Sequence, residues 1–151
     1  MRAVIQRVSS AKVTANKTHE ASIGRGLLVL LGITQSDTME DLDWLVNKII
    51  HMRIFNDEVA VMNKSVLDIA GELLVVSQFT LYAQTKKGNR PYYARAAGHE
   101  IAVTLYSHFL QKATQLIGKP VQSGIFGADM RIDLTNDGPV TIIIDSKNKD
   151  L

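Results

Sequence analysis

Residues 72–83 read ELLVVSQFTLYA. Leu73, Leu74, Val75 and Val76 are apolar at consecutive positions, so a strand here is buried on both faces and belongs near the centre of a sheet. From Ser77 onward polar side chains appear. Alternation puts Ser77, Phe79 and Leu81 on one face and Gln78, Thr80 and Tyr82 on the other. The strand is then expected to emerge toward solvent, with Gln78 and Thr80 pointing the same way about 7 Å apart. Glutamine offers an amide donor suited to a developing oxyanion, and threonine offers a hydroxyl. On pattern alone, cross-strand hydrogen bonding by half-buried polar residues is the more ordinary account of the pair.

Working outward, residues 2–8 and 11–15 read as two short strands, with Ser9-Ser10 as a turn between them. HEASIG (19–24) is a possible third, and LLVLLGI (27–33) an apolar fourth. Asp37 followed by Glu40 resembles a capping box, and Leu42, Leu45, Val46 and Ile49 continue it at helical spacing. Residues 53–63 look like a break and then a short strand. A second helix is expected over about Gly98–Leu116, its buried stripe marked by Ile101, Leu105, Phe109, Ala113 and Leu116. Gly118 and Pro120 close it. Strands over 121–126, 130–136 and 139–145 finish the chain, leaving 146–151 as a polar, frayed tail. The pattern predicts an α/β fold: a single compact domain, residues 1–151, of mixed β-sheet with two long helices.

The bulk numbers narrow the function. At 151 residues, 46% hydrophobic and 21% charged, the chain is of ordinary globular composition. No apolar run approaches the roughly 20 residues of a membrane helix, and the start, MRAVIQRV, carries no secretory signal pattern. Cysteine is absent, which removes thiol catalysis and disulfides and fits a cytoplasmic location. The net charge of +2 is small, but its distribution is uneven. Residues 73–99 contain no Asp or Glu, and they hold Lys86, Lys87, Arg90 and Arg95. Tyr82, Tyr92 and Tyr93 are interleaved with these cations. Such a segment suits a phosphate backbone or an exposed base; a solvated loop with ordinary lysines has the same composition.

The usual catalytic signatures are missing. GRGLLV (24–29) lacks the third glycine of a dinucleotide fingerprint and enters a strand. GKP (118–120) follows a helix and has proline where a phosphate loop needs Ser or Thr. His19, His51, His99 and His108 have no ligand spacing, so neither a metal nor another cofactor is expected. No G-x-S-x-G elbow is present.

A Gly-Pro pair, Gly138-Pro139, stands at the entry to the strand Val140–Asp145. Proline donates no hydrogen bond and suits a strand's first residue. A second explanation comes from the motifs together. SQFTL (77–81), KKGNRP (86–91) and NDGPVT (136–141) resemble those of the D-aminoacyl-tRNA deacylase family. The resemblance extends through MRAVIQRV, GLLVLLGIT, MRIFND and GADMRIDLTNDGPVT and so covers essentially the whole chain. One departure is visible: Ala60-Val61 stand where the family often has a Gly-Lys turn, which puts a local hairpin in doubt.

The resemblance implies a homodimer that hydrolyses the ester joining a D-amino acid, or mischarged glycine, to tRNA, as a chiral proofreading step in translation. It implies that the strand Ser77–Leu81 walls the ester, with Ser77, Gln78, Phe79 and Thr80 as the catalytic segment. It implies a cis Gly138–Pro139 peptide inserted from one subunit into the other's pocket, held across the interface by Arg7. Two carbonyls offered side by side would accept from the substrate's α-ammonium, and an L side chain would be driven into the rigid peptide while a D side chain would not. Thr80 as nucleophile finds no local base to activate it. Substrate-assisted hydrolysis instead has a ribose hydroxyl help activate water, while Gln78 and main-chain N–H groups near Phe79 stabilise the oxyanion. Lys86, Lys87 and Arg90 become candidates for tRNA phosphates, on charge alone. A non-catalytic RNA-binding module, or an ester hydrolase of relaxed chirality, remains open on these residues.

Overall fold

The computed structural model describes residues 1–150. Its frame is a six-stranded mixed sheet in which β1 (Arg2–Ala15) is the longest inner strand. The N-terminal half of β1 pairs with β3 (Gly26–Gly32), from Arg2 opposite Gly32 to Val8 opposite Gly26. Its C-terminal half pairs with β2 (His19–Ile23), from Ala11 opposite Ile23. Ser9-Ser10 are therefore not a turn. They are exposed residues inside one continuous strand, at the point where β1 exchanges one neighbour for another. A bulge in its other ladder falls here too, and it lets Ala11 and Val13 share the buried face of Val8.

The stretch at 72–76 sits as expected. Strand β6 (Glu72–Ser77) lies parallel to β3, Gly26 opposite Glu72 through Leu31 opposite Ser77. Leu73 and Val75 face both long helices, while Leu74 and Val76 face a second apolar cluster with Val8, Val13 and Leu28. The helices are α1 (Met39–His51) and α2 (His99–Ile117), packed on one face of the sheet. The capping box of α1 is built from Thr38 and Asp41, one residue beyond the expected pair, leaving Asp37 free for another role. On α2 the buried stripe is Ala102, Leu105, Tyr106, Phe109, Ala113 and Ile117, whereas Ile101 faces solvent. Gly118 is the C-cap in the left-handed region.

A further difference bears on the site. Strand β6 stops at Ser77, and Phe79–Tyr82 form a turn of 3₁₀-helix, so Ser77–Leu81 is not a strand throughout. The last ladder bond runs from the Gln78 amide to the Leu31 carbonyl, 2.8 Å. The chain then folds back over Gly32, where an added Cβ would lie 3.0 Å from Leu81 Cβ; the missing side chain is what makes room for the turn.

The short hairpin of β4 (Phe55–Asn56) and β5 (Met62–Lys64) forms despite Ala60-Val61, with Ala60 in the left-handed region at φ 63°. At the other end, β7 is only Gln122–Ser123, and β8 (Met130–Asp145) runs antiparallel to β1 on both sides of an interruption at 137–140.

The tail is also tied down. Ser146 is buried, its amide donates to the Met1 carbonyl at 2.8 Å, and its hydroxyl accepts from the buried Met1 ammonium, which also pairs with Asp37. Lys147 Nζ reaches Asp41 Oδ2 at 2.7 Å. Leu151 lies outside the described residues.

Candidate active site

A cleft of about 400 Å³ opens at the carboxyl ends of β3 and β6, the place where parallel strands present loops rather than side chains to a ligand. Leu31, Ile33 and Val76 form its base, Ser77, Gln78 and Phe79 one wall, and His99 and Ala102 of α2 another. Phe126–Ala128, Met130 and Ile132 close it. His99 is the only titratable side chain among the described residues lining it, and it lies edge-on to Phe126 with centroids 5.5 Å apart. Among the described residues no group of three or more His, Cys, Asp or Glu is placed to hold a metal ion.

The 3₁₀ turn changes the geometry of the polar pair. Gln78 Nε2 donates to Thr80 Oγ1, so the two side chains touch instead of standing a strand repeat apart. An amide cannot accept the threonine proton, so this contact gives Thr80 no general base. The amides of Phe79 and Thr80 open the turn and have no carbonyl partner within it. Arg2 anchors the turn from below: Nη1 donates to the Leu81 carbonyl at 2.8 Å and Nε to Asp145 at 2.9 Å.

Arg7, Gly138 and Pro139 do not line the cleft of their own chain. Between Gln6, opposite Thr141, and Val8, opposite Asn136, the β1–β8 ladder slips its register. Residues 137–140 therefore bow out opposite Arg7. The Arg7 side chain is buried and contacts the bow within the same chain: Nε donates to the Asp137 carbonyl at 2.8 Å, and Nη1 to the Ile54 carbonyl at 2.7 Å. Asn136 ties the base, its Oδ1 accepting from the Val140 amide at 2.8 Å and its Nδ2 donating to Thr141 at 3.2 Å. The Gly138–Pro139 peptide is cis, with Gly138 at φ 144°, and both residues are exposed. A Cβ on Gly138 would sit 2.9 Å from Val140 Cγ2 and 3.0 Å from Arg7 Nη2.

Lys86, Lys87 and Arg90 are exposed on the loop between the 3₁₀ turn and α2. The residues that sequence reasoning missed are Asn136, His99 and the wall of Phe126–Ala128 and Met130. GADM was visible as a motif, but nothing in its composition indicates that the loop folds over the end of β6.

Comparison with known proteins fits this geometry. The family model described as D-Tyr-tRNA(Tyr) deacylase matches residues 4–145. The chain belongs to that family. A relative from Flavobacterium psychrophilum named D-aminoacyl-tRNA deacylase is 59% identical over 150 residues, covering 99% of this chain and 100% of that one. One of the same name from Bacteroides thetaiotaomicron is 56% identical with the same coverage. Among solved structures, a c-Myc DNA unwinding element binding protein superposes with a TM-score of 0.90 at 42% identity, over 96% of this chain and 98% of that chain. A probable eukaryotic D-amino acid tRNA deacylase superposes with a TM-score of 0.85 over 95% and 98% of the two chains; at 19% identity it speaks to the fold alone. Within the matched region, Ser77–Phe79 stand in the cleft wall and Asp137–Val140 form the bow held by Arg7.

Proposed function

We propose that this deacylase frees tRNA from D-amino acids and from mischarged glycine by hydrolysing the aminoacyl ester in the cleft at the ends of β3 and β6, and that it spares L-aminoacyl-tRNA. The observation that carries the proposal is the position of Gln78 and Phe79: the family's SQFT segment leaves its strand at the wall of the cleft and turns its first amides out of the ladder. An aminoacyl ester is already activated, so the protein need supply mainly position and charge stabilisation. Gln78 Nε2, oriented by Thr80, and the amides of Phe79 and Thr80 are the donors for the oxyanion. No side chain of the cleft wall is a paired acid and base, which suits a reaction in which the terminal ribose hydroxyl helps to activate water.

Chirality is assigned to Gly138 and Pro139 of a second copy. In one chain they are exposed and outside the cleft, yet rigidly braced by Arg7 and Asn136. Among the described residues strand β8 pairs only with β1, which leaves its other edge open, and Leu134 and Ile143 on it are exposed. A free edge and an apolar strip favour a homodimer that carries the bow of each chain into the cleft of its neighbour. Lys86, Lys87 and Arg90 are assigned to phosphates of the acceptor end. Among the described residues no helix is long and apolar enough to cross a membrane, and the cytoplasm, where tRNA is charged, is the proposed location.

Incubating purified protein with matched D- and L-Tyr-tRNA tests the proposal. Loss of the D-form with survival of the L-form is expected. Binding without hydrolysis would favour an RNA-binding module, and equal loss of both enantiomers would sink the chiral filter. Sedimentation tests the dimer independently.

A further inference from the structure

At the edge of the cleft three aromatic rings face solvent, one of them on Phe79, whose main-chain amide is assigned above but whose ring is not, and two on the loop beyond it. Phe79 is 58% exposed, Tyr92 65% and Tyr93 36%. Large rings left in water on a folded surface ask for an occupant. Phe79 and Tyr93 meet edge to face, centroids 5.1 Å apart at 73°, so the rings continue from the cleft wall onto the loop beyond it.

The loop is held by main-chain bonds rather than left floppy. Gln84 and Tyr92 exchange both backbone hydrogen bonds, at 2.8 and 3.0 Å. Thr34 pairs with Ala96, Thr34 Oγ1 donates to the Arg95 carbonyl at 2.5 Å, and the Ala97 amide donates to the Ile33 carbonyl at 2.9 Å. Two backbone anchors from the end of β3 and one internal bridge fix where Tyr92 and Tyr93 stand. Arg90 shares a surface hollow with both tyrosines, and Lys86, Lys87 and Arg95 are exposed on the same loop, with no acidic residue from 73 to 99.

We infer that Phe79, Tyr93 and Tyr92 form a stacking platform for the unpaired nucleotides of the tRNA tail that precede the terminal aminoacylated adenosine. This rests on the function proposed above. Rings interleaved with cations on a fixed loop are the surface that single-stranded nucleic acid uses: bases stack on the rings, and the phosphates between them meet the cations. A peptide partner of acidic character would match the charge but leave the ring faces unexplained. A duplex would match the charge too, yet its bases are stacked on each other and cannot reach the rings. The platform selects a single strand that leads into the cleft.

The test is equilibrium binding of a short RNA with the tRNA tail sequence, carrying fluorescent pyrrolo-cytidine at the penultimate position. Wild-type protein is expected to quench the probe. Tyr92→Ala and Tyr93→Ala are each expected to weaken binding about 5- to 150-fold, the range of one base–aromatic stack, with the salt dependence unchanged. Tyr93→Phe keeps the ring against Phe79 and is expected to bind like wild type. Unchanged affinity in both alanine variants, or loss in Tyr93→Phe equal to that in Tyr93→Ala, overturns the platform. Melting curves of each variant identify any that are unfolded, and Tyr92→Trp, which keeps a stacking face, is expected to restore binding. Hydrolysis is measured separately: if wild-type protein fails to hydrolyse D-Tyr-tRNA, the proposed reaction falls, while the binding data still decide the platform.

Discussion

Arg7 Nε donates to the carbonyl of Asp137 at 2.8 Å, joining the middle of β1 to the shoulder of the Gly138–Pro139 bow. The carboxylate of Asp137 stands 3.8 Å away and is half exposed, so the ion pair contributes little. The guanidinium acts mainly through two backbone carbonyls, Asp137 and Ile54. A planar fork can serve both at once, and an ammonium cannot.

Arg7→Lys should therefore resemble Arg7→Ala more than wild type. Each lost bond from a charged donor costs roughly 1.5–3 kcal/mol, which denaturant unfolding measures. Deacylation of D-Tyr-tRNA should fall in both variants because the bow loses its brace. An Arg7→Lys enzyme with wild-type stability and rate would contradict this.

The contact between Gln78 and Thr80 separates two roles for the threonine. If Gln78 supplies an oxyanion donor, Gln78→Ala should lower kcat by about 10²–10³. Thr80→Val removes only the acceptor that orients the amide, so its loss should be smaller, and the double variant should be little worse than Gln78→Ala alone. If Thr80 were the nucleophile, Thr80→Val would abolish turnover and Thr80→Ser would retain it. Single-turnover kinetics on the four variants decide between them.

Asp41 makes stability depend on pH. Burial pushes its carboxyl up, but hydrogen bonds from Lys147, the Thr38 amide, Ser146 and the Thr38 hydroxyl outweigh burial and hold it well below the usual carboxylate range. The unfolded chain then takes up the proton first as pH falls, so the stability supplied by this group is complete above about pH 5 and is lost progressively below about pH 4. Asp41→Asn should lower Tm at pH 7 and narrow its gap from wild type as the pH approaches 3. A gap that does not change with pH would show that the charge is not what matters.

Ala60 occupies the left-handed region, which costs a residue with a Cβ about 1–2 kcal/mol. The turn is closed by its amide donating to the Asp57 carbonyl at 3.2 Å and by Asp57 Oδ1 accepting from the Val59 and Val61 amides at 3.0 Å. Ala60→Gly should relieve the strain and raise stability by about 0.5–1 kcal/mol after the greater freedom of glycine in the unfolded chain is counted. A drop in Tm would mean that the strain is not present.

The parts of the chain with strong local patterns were legible. Four successive apolar residues at 73–76 placed β6 inside the sheet, helical spacing placed α1 and α2, and a glycine stop ended α2. The motifs around Gln78 and Gly138 identified the family, whose model covers 4–145. The misread places were those where a distant segment determines the local form. Ser9-Ser10 look like a turn in isolation; they stay in a strand because β8 pairs alongside while β2 and β3 change over. Thr80 looks like an outward strand residue; the space above Gly32 let the chain curl, so its hydroxyl met Gln78.

Residues 146–151 look like a loose polar tail, yet Met1 and Asp41, far off in sequence, hold Ser146 and Lys147. Sequence by itself determined the two long helices and the buried strands β3 and β6, because those follow from side-chain periodicity within a few residues. Only the tertiary structure decided where polar groups point and what they touch, because a hydrogen bond between Arg7 and Asp137 depends on a register that no local pattern encodes.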